Sequence, residues 1–379
     1  VNAVRGVPLS IRQDFVKSQP LFRQFGCRAQ NGHSCALIDE RPVPIALPQV
    51  NDLRELSAKL GSNPLLVQAA SGNTSIKIGG TLWIKASGKW MADAHWTEIF
   101  VPVDLETLEA RDSNLAPSIE TAMHAALPQS VVIHVHSVNA IAWAIREDGP
   151  KRLEERLAGL PWAWIPYVSS GLPLACEVQL SRQCMREESP TVFVLANHGL
   201  VVAADDCCAA ELLLLEVERR LEVIPRGALT PNREHLVALS RGSGFHSPAE
   251  PEVHCLGTDP FSRAIVMAGT IYPCHAMFLG PAAAGCEPFE PVSNAIDRYE
   301  RQFGFRPGII SVRGIGLLVS DKITVTQMQV LIGLAHVIQR VESGAPIRYL
   351  TGQEVSELMT TDVHRYRESV ESRAACAVR

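Results

Sequence analysis

The sequence has no excess of positive charge. Its 35 Lys and Arg stand against 40 Asp and Glu, a net charge of −5. A general nucleic-acid binder draws its affinity from a cationic surface, so that class is not expected. No two of the ten cysteines have CxxC spacing, which removes the common zinc and thiol-redox motifs. Cys207 and Cys208 are neighbours, while Cys27, Cys35, Cys176 and Cys184 are scattered. Reduced thiols in a cytoplasm are therefore expected. No GxGxxG run enters a helix, so NAD chemistry is not expected. The N-terminus lacks an apolar core of signal-peptide length. Two segments without Asp, Glu, Lys or Arg, Leu157–Cys176 and Ala264–Cys286, are interrupted by Pro161, Pro166, Pro173, Pro273 and Pro281. Neither reads as a bilayer helix of roughly 20 apolar residues, and no membrane partner is expected.

What is present is enough apolar material for a substantial core, 46% hydrophobic against 20% charged residues, and this excludes disorder along the whole length. Residues 1–48 have no sustained period and read as an N-terminal extension. From Asn51 the pattern becomes regular. Asp52–Leu60 has helical spacing, with Asn51 or Asp52 as its cap. Ser75–Ile78 and Thr81–Lys85 flank Gly79-Gly80 as a hairpin would. Ser118–Leu127 reads as a helix started by Pro117. Val131–His136 reads as a strand, followed by a helix over Val138–Arg146. Strands at Thr191–Leu195 and Leu200–Ala203 flank Asn197-His198-Gly199, and a long helix follows from Asp205 to Glu222. Interleaved strands and helices predict an α/β layered domain over 49–225. Pro225, Gly227 and Pro231 mark its end. Beyond them, Phe193-Val-Leu-Ala-Asn-His-Gly-Leu-Val-Val202 matches Ile310-Ser-Val-Arg-Gly-Ile-Gly-Leu-Leu-Val319 at a constant offset of 117. Residues 226–379 thus read as a smaller α/β unit, a degenerate repeat in which Ile315 replaces His198 and no metal is bound.

His134 and His136 lie two apart on a predicted strand, so both leave the same face. Two imidazoles on a buried strand are costly unless something satisfies them. A divalent metal does so, as does a set of core hydrogen bonds. His198, presented beside a glycine at a strand end, would complete a three-histidine site with an open position, the pattern of a catalytic metal. Zinc is the first expectation, with manganese or cobalt as alternatives. Glu120 is the candidate acid or base, placed in the first turn of the preceding helix. His124, one turn later, reads as a supporting or core residue. Ser71-Gly-Asn-Thr-Ser75 and Ala86-Ser-Gly-Lys89 are tight loops whose backbone N–H groups suit an anion, with Lys85 and Lys89 adding positive charge.

These segments together resemble the class II aldolase/adducin family. SGNTS, ASGK, PSIETAMH, VVIHVHS and NHGLVV occur in that family's order over Leu47–Glu222, closest to the aldolase part of bacterial bifunctional rhamnulose-phosphate aldolase/dehydrogenase-like proteins. The resemblance implies a three-layer α/β/α sandwich with a mostly antiparallel central sheet, assembled as a homo-oligomer, a tetramer. It implies His134, His136 and His198 as metal ligands, and Glu120 as a ligand of the resting metal and the acid/base. Gly72, Asn73, Ser87, Gly88 and Ser118 match loops that hold the phosphate or equivalent anion of a small-molecule substrate. The implied activity is a metal-dependent carbon–carbon lyase, an aldehyde-lyase of carbohydrate metabolism working through an enediolate. A decarboxylase, a sugar-phosphate 4-epimerase or an adducin-like scaffold without activity are the alternatives. Two departures stand out. Ile119 occupies a place where sugar-phosphate aldolases of the family often carry a second Ser. Some members also use a Tyr as proton donor, and of the five tyrosines here, Tyr272 beside His275 is the most suggestive.

Overall fold

The computed structural model describes residues 47–111, 113–184 and 189–360. The expected N-terminal extension lies outside the described residues apart from Leu47 and Pro48. Helix α1 (Pro48–Gly61) begins with Pro48 in its first turn. No side chain caps it, so neither Asn51 nor Asp52 has the expected capping role.

A seven-stranded sheet follows. It contains β1 (Asn73–Ile78), β2 (Thr81–Lys85), β3 (Phe100–Asp104), β4 (Val131–Val135), β5 (Trp162–Ile165), β6 (Val192–Leu195) and β7 (Gly199–Ala204). Their spatial order is β3-β2-β1-β4-β7-β6-β5. Only β5 and β6 run parallel. The Gly79-Gly80 hairpin forms as expected, with Ile78 opposite Thr81 and Gly79 at φ +57°, which glycine adopts without steric cost.

Alternation along β4 builds the layers. Val131, Ile133 and Val135 enter one core, with α1, α3 (Val138–Ala144), α4 (Gly149–Arg156) and α6 (Cys207–Leu221). Val132 enters the opposite core with residues of α2 (Thr121–Ala126) and α5 (Leu172–Cys184). Helices therefore cover both faces, giving the three-layer sandwich. Helix α2 starts three residues later than the sequence reading placed it. Pro117 forms a bridge with Ala86 instead, and Ser118 N donates to the Lys85 carbonyl. Pro117 and Ser118 are thus committed to contacts with the neighbouring loop, and Glu120 is the residue before the helix.

After α7 (Arg233–Ser240) the chain builds a four-stranded sheet, β8 (Phe245–His246), β9 (Ala284–Cys286), β10 (Ile309–Val312) and β11 (Gly316–Ser320), in the order β8-β11-β10-β9. The helices around it are α8 (Cys255–Thr258), α9 (Pro260–Ala268), α10 (Val292–Phe303), α11 (Val325–Arg340) and α12 (Gly352–Leu358). The two hairpins that match in sequence share one register. Val192 faces Val202 and Leu195 faces Gly199, as Ile309 faces Val319 and Val312 faces Gly316. Each hairpin also has a parallel neighbour, β5 or β9, and an antiparallel one, β4 or β8.

The two sheets meet through α3, all seven residues of which are buried. Ala140, Trp143 and Ala144 join the core of the first sheet. Val138, Ile141 and Ala142, with the following Ile145, join a core containing Ile271, Leu331 and Leu334. A helix apolar on every side belongs between two layers. No helix among the described residues is long and apolar enough to cross a membrane.

Candidate metal centre

The site forms where the central strand β4 meets the β6–β7 turn. His134 is fully buried and lies between Asn73 of β1 and Val201 of β7. His136 follows just beyond the strand, and its ring centroid lies 5.1 Å from that of His134. The His198 ring comes in from the turn, 4.9 Å from His134 and 5.2 Å from His136. One ligand atom of each can be chosen so that all lie within 4.8 Å of one another. His198, distant in sequence from His134 and His136, is thus brought beside both. Among the described residues no other group of His, Cys, Asp or Glu does so.

Hydrogen bonding sets the state of one ring. His134 Nδ1 lies 3.1 Å from the Leu200 carbonyl. A carbonyl only accepts, so Nδ1 carries a proton, and in the neutral ring Nε2 is the atom that offers a lone pair. That Nε2 is buried and makes no hydrogen bond. It lies 3.4 Å from Glu120 Oε2, and His198 Nε2 lies 3.4 Å from Glu120 Oε1. A buried ring nitrogen without a hydrogen bond, among two further imidazoles and a carboxylate, suits a divalent transition metal. The donor set fits that group.

Glu120 is nearly inaccessible and accepts from Asn73 Nδ2 at 2.8 Å and from Ser170 Oγ at 3.4 Å. Burial pushes its carboxyl up. The adjoining rings of His134 and His198 and the Asn73 bond outweigh that effect and bring it down to about 2. Burial pushes His198 down to about 4 against the pull of Glu120, and His136 well below its ordinary value. Metal-binding imidazoles must be neutral, so this environment favours the ligating form. His124 lies outside the cluster. Its Nδ1 is 2.7 Å from Ser75 Oγ, in keeping with a core or supporting residue.

The two expected anion loops face the same pocket, about 280 Å³ in volume, which Gly72, Asn73, Ser87, Gly88, Ser118 and Glu120 line with His136 and His198. Gly72 has φ +64°, and a Cβ there would stand 2.6 Å from the His134 carbonyl. Only glycine allows that approach. Ser118 Oγ accepts from Asn73 Nδ2 at 3.0 Å and from Glu120 N at 3.2 Å, linking one loop to the carboxylate. Lys85 is buried beneath the loops and donates to the carbonyls of Ala70 (3.0 Å) and Lys89 (2.6 Å). Burial pushes its ammonium down to about 7, although Glu120 pulls the other way.

The sequence reading missed the far wall. Pro273, Cys274, Met277, Phe278 and Val330, all from beyond residue 225, line the pocket, as does Ser170. Cys274 Sγ lies 3.5 Å from His136 Nδ1. The charge-free character of Ala264–Cys286 was the available signal, since an apolar segment must lie against something. None of Tyr167, Tyr272, Tyr299 and Tyr349 lines the pocket. Tyr272 is buried in the second core, its ring centroid 6.3 Å from that of His275, while Tyr366 lies outside the described residues.

Residues 51–224 match the family model described as Class II Aldolase and Adducin N-terminal domain. An uncharacterized oxidoreductase of Bacillus subtilis (strain 168), YuxG, is 26% identical over 181 residues, which make up 40% of this chain and 26% of that protein. The chain thus spans about a quarter of that relative's length. Among solved structures, the N-terminal class II aldolase domain of a conserved protein from Thermoplasma acidophilum is 22% identical, with a TM-score of 0.40. The match covers 49% of this chain and 98% of that one. An L-fuculose-1-phosphate aldolase from Thermus thermophilus is 20% identical, with a TM-score of 0.34, over 45% of this chain and 89% of its own.

Proposed function

We propose that this chain, whose residues 51–224 match the class II aldolase and adducin family model, is a metal-dependent carbon–carbon lyase of the aldolase type. Its substrate would be a small sugar phosphate or a related hydroxy-keto compound. The observation that carries the reading is the convergence of the buried His134, His136 and His198 rings on one another and of Glu120 on His134 and His198. A scaffold without a metal gives no reason to gather three imidazoles and a carboxylate in a buried site, because buried polar groups cost stability unless something satisfies them.

His134, His136 and His198 would hold one divalent transition metal, with Glu120 as the fourth group of the resting site. When bound, the metal supplies the positive charge that stabilises an enediolate. Glu120, whose carboxyl is held down to about 2 and is therefore ionised at neutral pH, would serve as the base for the proton at the nucleophilic carbon. Asn73 holds that carboxylate in place. Gly72, Asn73, Ser87, Gly88 and Ser118 bind the anionic end of the substrate, and the apolar wall from Pro273 to Phe278 excludes water from the reacting carbons. Ile119 offers no hydroxyl to a phosphate, which favours a substrate whose anion needs fewer donors. The second sheet reads as a degenerate copy. The ladder register sets His246 in the place of Ile133, which puts Ser247 in the place of His134, while Ile315 stands for His198.

Elemental analysis of purified protein tests the reading first. It predicts about one divalent transition metal per chain, lost in His198→Ala, after which aldehyde release, carbon dioxide release and stereochemical inversion are assayed on a substrate panel. Aldehyde release supports the lyase. Either of the other two products replaces it with a decarboxylase or an epimerase using the same residues. No metal after incubation with zinc or manganese refutes the reading.

A further inference from the structure

We propose that Arg348 is a positioning residue for the metal ligand His198, acting through Asn197. The C-terminal sheet region would then be a working part of the metal site as well as a packing partner. The inference rests on the reading that His134, His136 and His198 hold a metal.

Asn197 immediately precedes His198 in the β6–β7 turn and is fully buried. Its side chain makes three hydrogen bonds, none of them to its own turn. Nδ2 donates to the carbonyls of Ile271 (2.9 Å) and Arg348 (2.8 Å), and Oδ1 accepts from Arg348 Nη1 (2.9 Å). The backbones are tied at the same place. Asn197 N donates to the Ala144 carbonyl at 3.0 Å, and Arg348 N donates to the next one, Ile145, at 2.8 Å. Arg348 is itself held, since Nη2 donates to Glu354 Oε1 at 2.7 Å and its guanidinium lies 5.2 Å from the centre of the Tyr167 ring. A planar fork fixed on several sides loses little freedom when it makes one more bond.

The second hairpin supplies an internal control. At the same step of its turn, shifted by 117, stands Gly314 at φ +69°, against +51° at Asn197. The turn therefore needs a residue that tolerates a left-handed backbone, and glycine suffices where Ile315 follows. Where a histidine follows, the chain has an asparagine whose side chain is anchored across the interface. What that anchor adds is the orientation of His198, whose ring must meet two others to form the site. Outer partners of this kind typically change metal affinity by about 10–100-fold.

The test is the affinity of chelator-stripped protein for Zn²⁺, measured in competition with a chromogenic chelator, with thermal unfolding of the stripped protein beside it. Asn197→Gly installs the residue that the second hairpin uses. It is expected to stay folded while its dissociation constant for Zn²⁺ rises about 10–100-fold. Arg348→Met removes only the Nη1–Oδ1 bond of the three and is expected to act in the same direction by less, and the double variant to be no worse than Asn197→Gly, which already removes that bond. Arg348→Lys, which keeps a donor, should recover part of the loss. Zn²⁺ affinity within about twofold of wild type in folded Asn197→Gly or Arg348→Met overturns the proposal, as do losses that simply add. If Arg348→Met does not fold, Asn197→Gly decides alone. If neither folds, the pair is structural and the positioning role falls. Wild-type protein that binds no Zn²⁺ refutes the metal-site reading itself, an outcome distinct from tight binding by every variant.

Discussion

Gly199→Ala is the most direct test of how the hairpin holds the site. A Cβ at Gly199 would stand 2.6 Å from the Val135 carbonyl, 3.2 Å from His134 Cε1 and 3.4 Å from His136 Cδ2. The backbone at Gly199 is not left-handed, so the penalty is steric alone. To reach even a tight 3.0 Å contact, β4 and the turn must part by about 0.4 Å, at the cost of an overpacked core substitution, about 1–3 kcal/mol. β4 has little room to yield, since β1 and β7 pair with it on both sides. The melting midpoint of stripped protein should therefore fall by about 1–4 °C. The methyl also presses on two ligand rings, so Zn²⁺ affinity should fall by at least about tenfold, the scale of a lost supporting contact. Gly80→Ala is the control, because a Cβ there meets nothing within 4 Å, and it should stay within about 0.5 kcal/mol of wild type. A Gly199→Ala protein with unchanged midpoint and affinity would refute the reasoning.

Other outcomes follow from the same geometry. Lys85→Met removes a buried ammonium whose folded value is about 7 against an ordinary 10.5. Between about pH 7 and 10 the unfolded lysine still holds a proton that the folded one has released, so wild-type stability should climb with pH relative to the variant. Denaturant titrations at three pH values check this, and parallel curves would contradict it. Ile119→Ser changes a residue that is 69% exposed, so stability should hold within about 0.5 kcal/mol. If phosphate occupies the neighbouring loops, KM for phosphorylated ketoses should fall with kcat unchanged, and an unchanged KM would place the anion elsewhere. Burial pushes the Cys274 thiol up to about 12, whereas Cys184 and Cys208 are exposed. Brief iodoacetamide treatment at pH 8 followed by peptide mapping should therefore label those two and spare Cys274.

Much of the site was legible because its parts are local patterns. Two histidines at a spacing of two on a β-branched run share a face, and β4 brings them together as that period requires. The Gly-Gly hairpin and the long helix α6 were visible for similar reasons. The start of α2 was not, because the bonds of Pro117 and Ser118 to the Lys85 loop outweigh a good helix-start signal. The apolar wall was illegible for a different reason. Cys274 and His136 are far apart in sequence, and no periodicity reports a contact of that range. Asn197 read only as a turn residue, since a side chain bonded across to Ile271 and Arg348 leaves no mark in its own segment.

Helix α3 has a consequence for anyone who would handle the half with the three histidines separately. Because no side of it is meant for water, it cannot be assigned to one sheet, and the proline-marked break near residue 225 divides the sequence without dividing the free energy. A fragment ending there would leave Val138, Ile141, Ala142 and Ile145 bare and strip Asn197 of its three anchors. The half that carries the three histidines is therefore not a portable module. A graft, a minimal protein or a fusion built on this scaffold must carry the second sheet as well.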